Sequence, residues 1–123
     1  MWKVFIILGA LNAAAAVGFG AFGAHGLEGR LSERLMEVYQ TAVQYHIMHA
    51  LGLLAVGLVA AYAGATTSLS WSGWLLFFGI VVFSGSLYTM AFTGIGWLGA
   101  ITPIGGTAFI AGWIMLVIAV LKM

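Results

Sequence analysis

Among the side chains of this sequence, the three histidines are best suited to chemistry, because an imidazole both ligates metals and exchanges a proton near neutral pH. His25, His46 and His49 all fall within residues 25–49, together with every acidic residue (Glu28, Glu33, Glu37) and two of the four Lys+Arg (Arg30, Arg34). His46 and His49 are three apart, so on a helix they share a face. A metal or haem site through His25, His46 and His49 is one chemistry this pattern allows. No carboxylate or thiolate lies in the apolar runs to complete such a ligand set, so Glu28 or Glu37 would have to fold back. Nucleophilic catalysis by Ser84 or Ser86 with a histidine would need an orienting acid, and none is evident.

Away from that stretch the chain is almost uncharged. Of 123 residues, 63% are hydrophobic and 6% charged, against roughly 25% charged in a soluble domain. This composition is that of an integral membrane protein with one transmembrane domain, residues 1–123. A net charge of +1 from scattered residues builds no basic face, which sets nucleic acid aside as a partner. Cysteine is absent, so disulfides and thiolate sites are excluded.

Four apolar runs have the length needed to cross a hydrocarbon core of about 30 Å at 1.5 Å per residue. They are Val4 to Ala24, Thr41 to Ala63, Trp71 to Thr93 and Gly99 to Leu121. The N-terminal run, with Lys3 before it and Ala13 to Ala16 within it, has the outline of a signal peptide. Its apolar character continues through Phe22, which favours a retained spanning helix. Between the later runs lie only the polar turn Gly64 to Ser70 and the segment Gly94 to Leu98. Connections this short predict an antiparallel four-helix transmembrane bundle.

The longest connection, about residues 27–40, carries a helical pattern of its own. Leu27, Leu31, Leu35, Val38 and Ala42 form one apolar stripe, with Arg30, Glu33, Arg34 and Glu37 opposite. Ser32 is placed to cap a helix entering at Glu33. We expect an interfacial amphipathic helix that runs into the second span, with docking of a partner as the alternative use. Trp2, Tyr62, Trp71 and Trp74 fall at one set of helix ends and Tyr39, Tyr45 and Trp97 at the other, as two interfacial belts require. Lys3 and Lys122 on one side balance Arg30 and Arg34 on the other; because those arginines sit among three glutamates, both termini are expected to be cytoplasmic.

Gly18-Phe19-Gly20-Ala21-Phe22-Gly23 matches the dinucleotide-binding pattern but lies inside a spanning helix instead of between a strand and a helix, so it is rejected. Small residues four apart recur: Gly9 with Ala13, Ala14 with Gly18, Ala16 with Gly20, Gly57 with Ala61, Gly85 with Thr89, Ala108 with Gly112. Such pairs let helix backbones approach closely in lipid. Thr102 is a candidate cap for a fourth helix with Pro103 in its first turn, and Gly105 and Gly106 keep that turn thin.

Alternating span direction puts His25, His46, His49, Ser84, Ser86, Tyr88 and Thr102 in one half of the bilayer. His49 would lie about 12 Å inward from Thr41, and Tyr88 about 7–8 Å inward from Thr93. At that depth polar groups turn inward and pair. Beside the metal reading, two others stand: a structural hydrogen-bond network tying the helices, and a site for a small polar solute, ion, proton or lipid headgroup.

Several of these pieces occur together in order. Gly20-Ala21-Phe22-Gly23-Ala24-His25-Gly26, Tyr45-His46 with His49, Phe83-Ser84-Gly85-Ser86-Leu87-Tyr88, and Thr102-Pro103-Ile104-Gly105-Gly106 with Phe109 and Gly112-Trp113 resemble the small bacterial membrane family called domain of unknown function 423. The resemblance covers essentially the whole chain. It implies four spans in the bacterial inner membrane and brings no established reaction. It also implies that position 46 needs a polar hydrogen-bonding group and not an obligatory ligand, because many bacterial members carry glutamine there. The expectation is a non-enzymatic protein without cofactor, acting in membrane integrity or as an accessory to a membrane complex. Its partners would be the lipid bilayer and a second copy or another membrane protein. The alternative is an oligomeric transporter or channel built on the polar cluster.

Overall fold

A computed structural model describes residues 1–123. The chain is all-helical, with four helices long and apolar enough to cross a membrane and no strand: α1 Trp2–Leu27, α2 Glu33–Ala63, α3 Thr67–Thr93 and a fourth stretch Gly96–Leu121. That last stretch begins with a 3-10 turn, Gly96–Ala100, and becomes the α-helix α4 at Thr102–Leu121. Each helix outruns the apolar run that announced it, because capping residues and not hydropathy set the ends.

Local chemistry accounts for those ends. Ser32 Oγ accepts the amide of Leu35 at 3.1 Å and Glu33 sits in the first turn, so α2 starts where the capping pattern placed it. Thr66 Oγ1 accepts the amide of Leu69 at 3.2 Å, starting α3 at Thr67. The expected polar turn over 64–70 therefore shrinks to residues 64–66, because its hydroxyls serve as a cap and helical surface instead of a loop. Gly94, at φ +72°, closes α3. Pro103 occupies the first turn of α4 as expected, but Thr102 makes no capping bond and Ile101 takes the cap position.

The segment 27–40, expected to form an interfacial helix running into the second span, is divided. Residues 23–27 continue α1 as a π-helical turn, 28–32 form a turn, and Glu33 opens one continuous 31-residue helix that runs to Ala63. Its sidedness is as expected: Val38 and Ala42 turn inward while Arg34 and Glu37 are exposed.

The central pair is α2 with α3; α1 lies mainly on α2, and α4 on α3. Glycines set these distances. A Cβ on Gly9 would stand 2.9 Å from the Ala50 carbonyl oxygen, and one on Gly57 would stand 3.0 Å from the Ile6 amide nitrogen. No side chain fits at either point, so packing supplies the attraction between helices that water would otherwise drive. Gly18 and Gly85, although members of the same small-residue pattern, meet nothing within 4 Å. One apolar core fills the end of the bundle around Phe5, Leu53, Val56, Leu69, Leu76 and Phe109. Polar pairing concentrates towards the other end.

Candidate functional site

Asn12, on α1, was not among the residues singled out by sequence, yet it anchors the main polar chain. Its Nδ2 donates to the Leu8 carbonyl at 2.8 Å within the same helix. A main-chain carbonyl only accepts, so Asn12 Oδ1 is left facing His46 Nε2, 2.9 Å away. Nε2 must therefore carry the imidazole proton and donate it. Nδ1 is then the lone-pair nitrogen and accepts from the Tyr88 hydroxyl at 3.0 Å. One imidazole thus ties α1, α2 and α3 together, with both nitrogens occupied.

Aromatic rings enclose this chain. Phe19 stacks on Tyr88 with centroids 4.5 Å apart, and Tyr39 meets Tyr88 edge-on at 5.5 Å. The Tyr39 hydroxyl donates to the Phe19 carbonyl. Tyr39 is 1% exposed, so it belongs to the packed interior and not to the aromatic belt expected from its position near a helix end. Trp2, Tyr62, Trp71, Trp74 and Trp97 do lie on the outer surface, as belt residues must.

The remaining candidates separate into pairs. Ser84 Oγ donates to the Ala42 carbonyl at 2.9 Å, pinning α3 to α2. It sits at the end of a π-helical turn, Ile80–Ser84, where Gly79 seats against Phe109 and the Gly105 carbonyl. Ser86 Oγ and Thr102 Oγ1 are 2.6 Å apart, joining α3 to the start of α4. A further bond, missed by sequence, lies nearer the apolar end: Ser72 Oγ donates to the Gly112 carbonyl at 2.7 Å.

His49 behaves differently from His46. Its Nδ1 donates to the Tyr45 carbonyl at 2.8 Å within α2, and its ring lies flat on Phe109 with centroids 3.5 Å apart. His25 is exposed on the last turn of α1 and joins none of these groups. The three histidines are therefore not gathered, and no three metal-ligating side chains come together anywhere in the chain. That geometry does not support the alternative of His25, His46 and His49 as a common ligand set: His25 faces outward on the last turn of α1, while helix packing commits His46 to Asn12 and Tyr88.

Four apolar spans around paired polar side chains define a multi-pass membrane protein. A family profile described as "Protein of unknown function (DUF423)" matches residues 19–106, and the chain belongs to that family. It is 62% identical over 122 residues to a UPF0382 membrane protein of Staphylococcus epidermidis, covering 98% of this chain and 97% of the relative. It is 58% identical over 120 residues to the UPF0382 membrane protein YwdK of Bacillus subtilis, covering 98% of each. A UPF0382 membrane protein of Staphylococcus aureus is 56% identical over 122 residues, with 98% of this chain and 97% of the relative covered. No solved structure matches. None of these names states an activity.

Proposed function

We propose that the chain is a non-catalytic protein of the bacterial inner membrane that supports membrane integrity or serves as an accessory to a membrane complex. The observation that carries this is the closure of its polar network. No enclosed side-chain nitrogen or oxygen lacks a partner within the protein, and His46, the most central titratable group, spends both nitrogens on holding three helices. A network so arranged is a fastening.

The same reading orders the molecule in the membrane. Residue 6 faces 57, 9 faces 50 and 54, and 20 faces 43, which supports antiparallel spans. At about 46 Å, α2 is longer than a hydrocarbon core of about 30 Å, so its first turns, with Glu33, Arg34 and Glu37, reach into the interfacial layer. Both termini are proposed to lie on the cytoplasmic side, because Arg30 and Arg34 at the other end sit among three glutamates. A second copy or another membrane protein would meet the faces around Gly18 and Gly85, where an added Cβ has open space.

Deletion in a host that carries the gene is expected to raise dye permeability or lower tolerance to envelope stress. Unchanged permeability, stress tolerance and envelope composition would overturn the proposal. Liposomes bearing the purified protein should hold proton and solute gradients from about pH 5 to 8. A flux abolished by Tyr88→Phe would replace this reading with an oligomeric transporter working through the same chain of hydrogen bonds.

A further inference from the structure

His49 is the buried histidine that the fastening does not use. Its one hydrogen bond, to the Tyr45 carbonyl, stays within its own helix and ties nothing together. Because that carbonyl accepts, Nδ1 carries the proton and Nε2 presents a bare lone pair. Nε2 has no partner in the protein. His49 as a whole is 3% exposed. Since no fully enclosed side-chain nitrogen is left unpaired, Nε2 is the atom that reaches open space. His49 lines a groove of about 490 Å³ between α2, α3 and α4, walled also by Tyr45, Phe83, Phe109 and Trp113, with Gly106 at its edge.

Three features fix what such a groove would take. Its volume is that of a small-molecule site. Its lining is aromatic: His49 and Phe109 stack on one another with centroids 3.5 Å apart, Tyr45 lies within 9° of parallel to His49 at 6.0 Å, and Trp113 stands 5.7 Å from His49, so a ligand ring would lie against this stack. Its one fixed polar feature is an acceptor, eight residues and about 12 Å along the helix from Thr41, at a depth where acyl chains have no hydrogen to donate. We propose that the groove binds a membrane-dissolved ligand bearing a hydroxyl on a flat aromatic ring, the ring lying among the aromatic walls and the hydroxyl donating to His49 Nε2. A phospholipid tail would fill the volume but leave the acceptor empty. A second copy of the chain would have to bring a donor to the same point.

The test uses 2-naphthol and its methyl ether, 2-methoxynaphthalene, titrated onto the full-length protein in phospholipid nanodiscs after subtraction of partitioning into empty discs. The naphthol should bind about three- to tenfold more tightly than the ether, the worth of one hydrogen bond, and should move the ¹⁵N resonance of His49 Nε2. His49→Phe keeps a flat ring and removes the acceptor; it should erase the preference. Gly106→Leu leaves His49 intact but grows into the groove, since a Cβ there meets only the Phe83 ring at 3.7–3.8 Å; it should weaken both compounds. Equal binding of naphthol and ether by the wild-type protein would overturn the proposal without recourse to either variant. So would a preference that survives His49→Phe, or cross-linking that shows the groove sealed by a second copy.

Discussion

Replacing His46 with leucine is expected to destabilise the bundle by about 3 kcal/mol, whereas His46→Gln costs under about 1 kcal/mol. Leucine removes the 2.9 Å bond to Asn12 and the 3.0 Å bond to Tyr88. Interhelical bonds in membranes average about 0.6 kcal/mol, so their loss accounts for about 1 kcal/mol. The remainder comes from stranding Asn12 Oδ1 and the Tyr88 hydroxyl away from water, at about 1 kcal/mol or more each. Glutamine offers one donor and one acceptor on a planar amide, the same polarity the imidazole presents to Asn12 and Tyr88. That equivalence would let a glutamine stand at this position, as the family resemblance implies. The triple variant Asn12→Leu, His46→Leu, Tyr88→Phe removes donors and acceptors together and should recover most of the loss. Reversible unfolding by SDS in mixed micelles measures all three. A His46→Gln variant as unstable as His46→Leu, or three single changes that simply add, would refute this assignment of the network.

Other consequences follow from the same contacts. Gly9→Ala and Gly57→Ala place a methyl against backbone atoms 2.9–3.0 Å away, so each should cost about 1–3 kcal/mol, while Gly18→Ala, with nothing within 4 Å, should stay within about 0.5 kcal/mol in the same unfolding assay. Ser84→Ala and Ser72→Ala each delete one interhelical bond to a carbonyl and should each lower stability by about 0.5–1.5 kcal/mol. Phe5→Ala empties a site that is 0% exposed against Gly73 and Trp74; a loss of about 3 kcal/mol is expected, against little change for the half-exposed Phe22→Ala. His25→Ala should leave both stability and any bound-metal content as in wild type, checked by unfolding and elemental analysis; a change in either would restore His25 to the site.

The apolar runs, their number and the start of α2 were legible in the residues because each answers to a one-dimensional rule. In lipid a segment satisfies its own backbone or does not cross, and a serine before an acidic first turn caps whatever follows it. Sorting the polar residues by depth brought out His46, Ser84, Ser86, Tyr88 and Thr102, all of which do form interhelical pairs. It failed for Asn12, which lies two residues from the middle of the run Val4 to Ala24 and so belongs to neither half. As the one asparagine in the chain, set within a spanning run, it carried the signal that depth alone discarded. Tyr39 was misread for a related reason: nearness to a helix end describes belt and core tyrosines equally, and the distinction rests on whether a neighbouring helix covers the ring.

What the sequence determined by itself is therefore the set of helices and the inventory of groups that have to be paired. Which groups meet was decided by the tertiary structure. Rotation of each helix about its axis costs the backbone nothing. It is set by where glycines such as Gly9, Gly57 and Gly105 let neighbours approach, and by which rotation leaves no enclosed side-chain nitrogen or oxygen without a partner. That choice turned His46 into a clamp between Asn12 and Tyr88, carried His25 outside, and left His49 beside a groove with its one hydrogen bond inside its own helix.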